Sequence, residues 1–379
     1  ANGYYALADN TTANQNSGLG YKALCSNTTG HDNTAVGYLS LHRNTTGDHN
    51  TASGTYALEH NVNGDMNTTM GVASLYSNIS GNCNTASGFN SLRCNTTGNA
   101  STGSGYASLR NNTTGCYNTA SGYEALKANT TANNNTATGY RSLRLNTTGT
   151  QNTASGAYSL FDLTTADYTT AIGFSAGANI TTGDNNTAVG RCALGVTTTG
   201  TSNTAVGMQS LLSNTTGVDN VGAGYNSGLC NTTGLGNVFI GSSAGCKNTE
   251  GNWNVAVGLC ANAKSTGAGK CCNVAIGTRA GFFNTTPTKN VLVGTYSGYY
   301  AASGDCNTMI GTGSGYIGLV TRNTSNRIVV GYLTDTANTA GHTVWGNSSN
   351  NVQNCVYSAW SNVSDCRDKT DISLLPSSY

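Results

Sequence analysis

The sequence predicts an all-β repeat fold, a β-roll or β-solenoid wound from 17-residue coils. Three observations carry this. The motif Asn-Thr-Ala-x-Gly returns at a fixed interval of 17, starting at Asn33, Asn50, Asn84, Asn118, Asn135, Asn152, Asn186 and Asn203. Weaker copies at Asn16, Asn67, Ser101, Thr169, Asn220, Asn237 and Asn254 fall on the same grid. The repeated residues are Asn, Thr and Gly, which are poor helix formers, and 17 residues is too short for a helix pair. Finally, charged residues make up 9% of the 379-residue chain and Gly numbers 50. A globular domain usually has about 25% charge, and a disordered one is richer in charge and Pro.

Taken in order, each column of the repeat has its own chemistry. Thr-Ala-x reads as a short strand that alternates out and in. Gly follows, from Gly20 and Gly37 to Gly207, where the backbone needs freedom or close approach. Next comes a mostly aromatic column, Tyr21, Tyr38, Phe89, Tyr106, Tyr123, Tyr140, Phe174 and Tyr225. Three residues on stands Leu, from Leu24 to Leu160. Asn-Thr-Thr-Gly then closes the coil as a turn, for instance at Asn27, Asn44, Asn95 and Asn146. Stacking puts like residues above one another, so Asn and Thr are expected to form hydrogen-bonded ladders. Some nineteen coils at about 4.7 Å give a rod of about 90 Å.

The grid shifts twice. A two-residue insertion near Lys270 to Cys272 precedes the starts at Asn273, Asn290 and Asn307. A second, near Leu319 to Asn323, precedes a degenerate copy expected at Asn326. From Asn237 onward the strand reads Val-Phe-Ile, Val-Ala-Val or Val-Leu-Val, which predicts more buried apolar surface there. Residues 1–325 therefore read as a repeat shaft, 326–363 as a β cap and 364–379 as a terminal junction. Ala1 to Leu7 fit the grid through Gly3, Tyr4 and Leu7, so the chain reads as part of a longer array. One coil holds about four apolar residues, against an ordering cost of ~1.5 kcal/mol per residue. Apolar columns are therefore expected to face other chains, most simply in a parallel, intertwined homotrimeric fibre, with the Gly columns allowing close approach.

Composition also excludes functions. A net charge of +1 argues against an electrostatic binder of nucleic acid or anionic membrane, which needs clustered cations. No apolar run is long enough to span a membrane. The thirteen Cys are scattered over the grid and read as free thiols. His31, His42, His49 and His60 occupy different columns and form no ligand set, so no metal or other cofactor is expected. Lys264 to Lys270 imitates a phosphate-binding loop but lacks its first Gly and its final Ser or Thr. Asp48 and Asp65 share a column on a turn and do not make the paired carboxylates of a glycosidase, so no enzyme is read here. The Thr-rich columns read as turn chemistry, not as an ice-binding face, and the Asn-x-Thr sites mostly as the repeat's own turn.

The terminal run Ser364-Asp365-Cys366-Arg367-Asp368-Lys369-Thr370-Asp371-Ile372 resembles the junction of viral tail fibres and tailspikes that carry an endosialidase-type intramolecular chaperone. The resemblance implies chaperone-assisted trimerisation and self-cleavage beside Ser364-Asp365, with Ser364 as nucleophile, Lys369 assisting it, and Asp365 and Arg367 as junction residues. A Lys whose pKa is lowered by burial can serve as such a base. The array itself looks like those in fibres of tailed phages and large aquatic viruses. It is also similar to the β-roll heads of trimeric autotransporter adhesins. The implied partners are two further copies of the chain, other virion tail proteins and a host receptor or glycan. The implied place is the virion, or, in the alternative of a bacterial trimeric adhesin, the cell surface.

Overall fold

The computed structural model describes residues 1–265, 271–285, 288–300, 304–316, 325–333, 342–347 and 351–355. Over these the chain is one continuous solenoid. Eighteen three-residue strands, from β1 (Ser17–Leu19) to β18 (Thr308–Ile310), stack in parallel, each coil adding one. The register is the sequence grid itself: Thr34 lies beside Thr51, Ala35 beside Ala52 and Val36 beside Ser53. The array ends in β19 (Ile328–Tyr332), still parallel, then β20 (His342–Asn347) and β21 (Asn351–Cys355), which pair antiparallel.

The coil from Asn33 to His49 shows how so few strand residues hold. The N–H of Thr34 donates to the Asn50 carbonyl in the following coil, while Gly37 and Leu39 donate back to Leu19 and Tyr21. Leu41 and Arg43 donate forward to Ala57 and Glu59, Thr45 to Val62, and His49 back to His31. Nearly the whole circumference is thus bonded to the coils above and below. The geometry needs left-handed residues, here Leu39 (φ 54°), Leu41 (φ 49°) and His49 (φ 57°). Each costs about 1–2 kcal/mol, offset by backbone bonds that would otherwise be unmade. The Gly column is tighter still. Gly71 has φ 136°, and a Cβ there would sit 2.6 Å from the Gly88 carbonyl oxygen. The close approach that Gly permits is therefore between successive coils of one chain.

Two Asn columns line the interior. In the turn column, Asn44 Nδ2 donates to Asn27 Oδ1 at 2.8 Å and to the Gly47 carbonyl at 2.9 Å. Asn61 repeats this on Asn44. In the strand-leading column, Asn50 donates its backbone N–H to Asn33 Oδ1 at 2.9 Å and its Nδ2 to the Gly64 carbonyl at 2.8 Å. These side chains are fully buried, and burial is tolerated because both ends of each amide are used. The turn Thr residues add a third ladder, as in Thr28 Oγ1 to the Thr45 carbonyl at 3.0 Å. The sequons at Asn27, Asn44, Asn95 and Asn129 are thereby closed to a sugar, since each side chain is buried and bonded.

The apolar columns differ from expectation. Ala of the strand centre and Leu of the turn are fully buried inside the single chain, from Leu24 to Leu211 and from Ala35 to Ala205. They do not face other chains, because the circumference closes around them. The added Val and Ile of the later coils point outward: Ile240, Ile276 and Ile310 are each about two-fifths exposed. Alternation along the strand forces this, since only the central residue faces in.

What changes inside is a trade of volume. Where Leu gives way to Gly228 and Gly245, the neighbouring strand centre becomes Phe239, and a Cβ on Gly228 would meet its ring. Gly298 is paired in the same way with Leu292, and Gly315 with Met309. At the second insertion Thr308 pairs with Ile328, and the backbone of Arg327, not of Asn326, donates to Asn307 Oδ1. The shift is therefore three residues, one more than the sequence suggested.

Candidate binding surface

The outside of the rod carries the chemistry. The residue after the columnar Gly projects outward at the corner of every coil. Where it is aromatic in successive coils, the rings stack. Tyr4, Tyr21 and Tyr38 form one run, with centroids 5.5 and 5.2 Å apart. Phe89, Tyr106, Tyr123 and Tyr140 form a second, at 5.5, 4.9 and 5.3 Å and within 14° of parallel. Val72 and Thr55 interrupt the ladder between them. A third aromatic group, Phe282, Phe283, Tyr296, Tyr299, Tyr300 and Tyr316, gathers late in the array with Lys264 above both Phe rings.

Beside the second run lies an ionic cluster. The residue after the columnar Leu is Arg93, Arg110, Lys127 and Arg144 in four successive coils. Glu124, 7% exposed, is held at 2.7 Å by Lys127 Nζ, at 2.8 Å by Arg144 Nε and at 3.2 Å by Arg141 Nε. Burial pushes its carboxyl up, but hydrogen bonds and charge from Lys127 and Arg144 overcome this and hold it down at about 2. Arg141 also lies over the Tyr140 ring at 5.0 Å and Arg144 over Phe161 at 5.7 Å. The cations, the carboxylate and the rings are therefore one contiguous surface.

The sequence missed this cluster because a net charge of +1 hides it. The signal was in the grid: four cations at intervals of 17 must stack. Asp48 and Asp65, which do share a column, are structural. Each accepts the backbone N–H of the preceding coil, from His31 at 2.7 Å and from Asp48 at 2.9 Å. His49 reaches Asp32 at 3.7 Å, and His60 packs edgewise on Tyr76. Among the described residues no group of His, Cys, Asp or Glu could hold a metal ion, and no helix is long and apolar enough to cross a membrane. Ser364, Asp365, Arg367 and Lys369 lie outside the described residues, as does most of the Lys264 to Lys270 segment.

No protein-family model, curated protein or solved structure matches the chain.

Proposed function

We propose that this chain is a structural and adhesive fibre segment, the shaft of a viral tail fibre that holds a host-binding surface away from the particle. One observation carries the reading. The ladder of inter-coil bonds runs from Asn2 to Leu333 with aromatic side chains presented repeatedly along its outside. Such a rod offers reach and many weak contacts, whose avidity multiplies when copies are joined. The Ser364-Asp365-x-Arg367 junction supports the viral assignment by resemblance alone. Three copies associate in parallel, side by side, and the outward Val and Ile columns of the later coils are the surface suited to it.

Light scattering on the purified chain, with electron microscopy, tests both parts. A trimeric rod about 90 Å long supports the reading. A monomer removes the trimer, and a compact particle removes the fibre. Incubation with host envelopes tests adhesion directly. In a precursor that continues beyond Tyr379, Ser364 acts as the cleavage nucleophile and Lys369 as its base. Ser364→Ala then leaves that precursor uncut by mass spectrometry, where the parent chain is cut.

A further inference from the structure

We propose that residues 84–151 form a binding site for an acidic polysaccharide, one bearing carboxylate or sulfate groups along its length. This rests on the adhesive reading and names its ligand class. Between Asp65 and Asp162 the only acidic residue is Glu124, against Arg93, Arg110, Lys127, Arg141 and Arg144. Four positive charges therefore remain on four coils of a chain whose total is +1.

The heads of Arg93, Arg141 and Arg144 are held in place rather than free. Arg141 and Arg144 each spend only Nε on Glu124, which leaves their terminal nitrogens to make paired contacts with an oxyanion. Arg110 makes no ion pair among the described residues; its Nε is buried without a hydrogen-bond partner, so it would meet an oxyanion through its terminal nitrogens. Arg93 rests over the Tyr76 ring at 5.3 Å and likewise has no carboxylate. The column repeats once per coil, about 4.8 Å, a length close to that of one sugar in an extended chain.

The flanking rings favour a glycan over nucleic acid. Tyr106, Tyr123 and Tyr140 stack face to face within 14°, so their faces are covered by one another. A nucleobase needs a free face. What the ladder offers instead is positive ring edges and a row of phenolic hydroxyls, which suit the oxygens and hydroxyl groups of a sugar chain.

The test is equilibrium binding of the full chain to heparin, alginate, neutral dextran and duplex DNA, each at two salt concentrations. Binding of heparin or alginate, weakening with salt and absent for dextran, is expected. Heparin alone assigns sulfate, and alginate alone assigns carboxylate. The double variant R93A/R110A touches none of the three ion pairs to Glu124, and should bind at least about tenfold more weakly with an unchanged melting curve. Equal affinity in that variant, or DNA bound as tightly as the glycan, overturns the proposal. Failure of both acidic glycans while the chain still decorates host envelopes overturns it too, and leaves the fibre reading standing.

Discussion

At the scale of one residue, the structure depends on buried amides most of which are doubly used, Asn262 and Asn284 being fully buried with neither end bonded. Asn112 Nδ2 donates to Asn95 Oδ1 and to the Gly115 carbonyl, and its own Oδ1 accepts from Asn129. Asn112→Ala orphans a carbonyl, an amide oxygen and an amide donor, and should cost about 2–4 kcal/mol in urea unfolding. The chain itself makes such a break. Leu163 and Ile180 take the Asn place in successive coils, and Asn146 Oδ1 is left without a partner. Gly105, at φ 122° and with the Gly122 carbonyl 2.6 Å from where its Cβ would stand, should tolerate Ala less well than any Asn change. Its variant is expected to lose cooperative melting by circular dichroism. These roles were legible in part. Columns of Asn and Gly announced ladders and close approach, but the left-handed Leu residues did not, because Leu rarely takes that conformation and no composition rule suggests it.

At the scale of the element, each coil keeps its interior volume by exchanging size between strand and turn. Phe239→Ala should cost about 3–5 kcal/mol. Because Gly228 and Gly245 both abut its ring, Gly245→Leu should be harmful alone and partly restorative beside Phe239→Ala. A double-mutant cycle reads this directly, since contacting residues do not add. The Glu124 cluster belongs to this scale as well. Its carboxyl is depressed from 4.5 to about 2 in the folded chain, so its stabilisation is complete above pH 4.5 and lost as pH falls toward 2. Glu124→Gln should therefore lower the melting temperature at pH 7 while melting curves of the two proteins converge near pH 2. Here the sequence was read by composition when it needed reading by column. The Val-Phe-Ile strands suggested a fatter core, but alternation sends their flanking residues outward, and Gly compensates for the Phe. The basic ladder was present in the spacing of Arg93, Arg110, Lys127 and Arg144, and invisible in the total charge.

At the scale of the whole molecule, stability is a sum over neighbours, as in other solenoids. Deleting residues 84–100 removes one full coil and joins like to like across the cut. The shortened chain should fold, melt within a few degrees of its parent, and lose about 4.8 Å of length. Deleting one residue fewer leaves a single coil of 18 residues, whose extra residue is absorbed within that coil as the longer natural coils absorb theirs, with Val255 still beside Val274 and Thr308 beside Ile328. That chain should still melt in one transition, lower than the in-register deletion. The overall architecture was the most legible feature, since a period maintained over hundreds of residues admits few other shapes. The number of chains that associate was less so. It was argued from a core judged too small for one chain, and the closed circumference, with Leu and Ala inside, answers that objection without a partner.

The inter-coil bonds run along the long axis, so tension applied to the two ends loads them one coil after another. A released coil of 17 residues extends to nearly 60 Å, where it occupied about 4.8 Å before. The rod is thus a tether with a store of slack, yielding in equal steps at nearly constant force instead of snapping. On the fibre reading proposed above, each step dissipates work while the remaining coils stay folded.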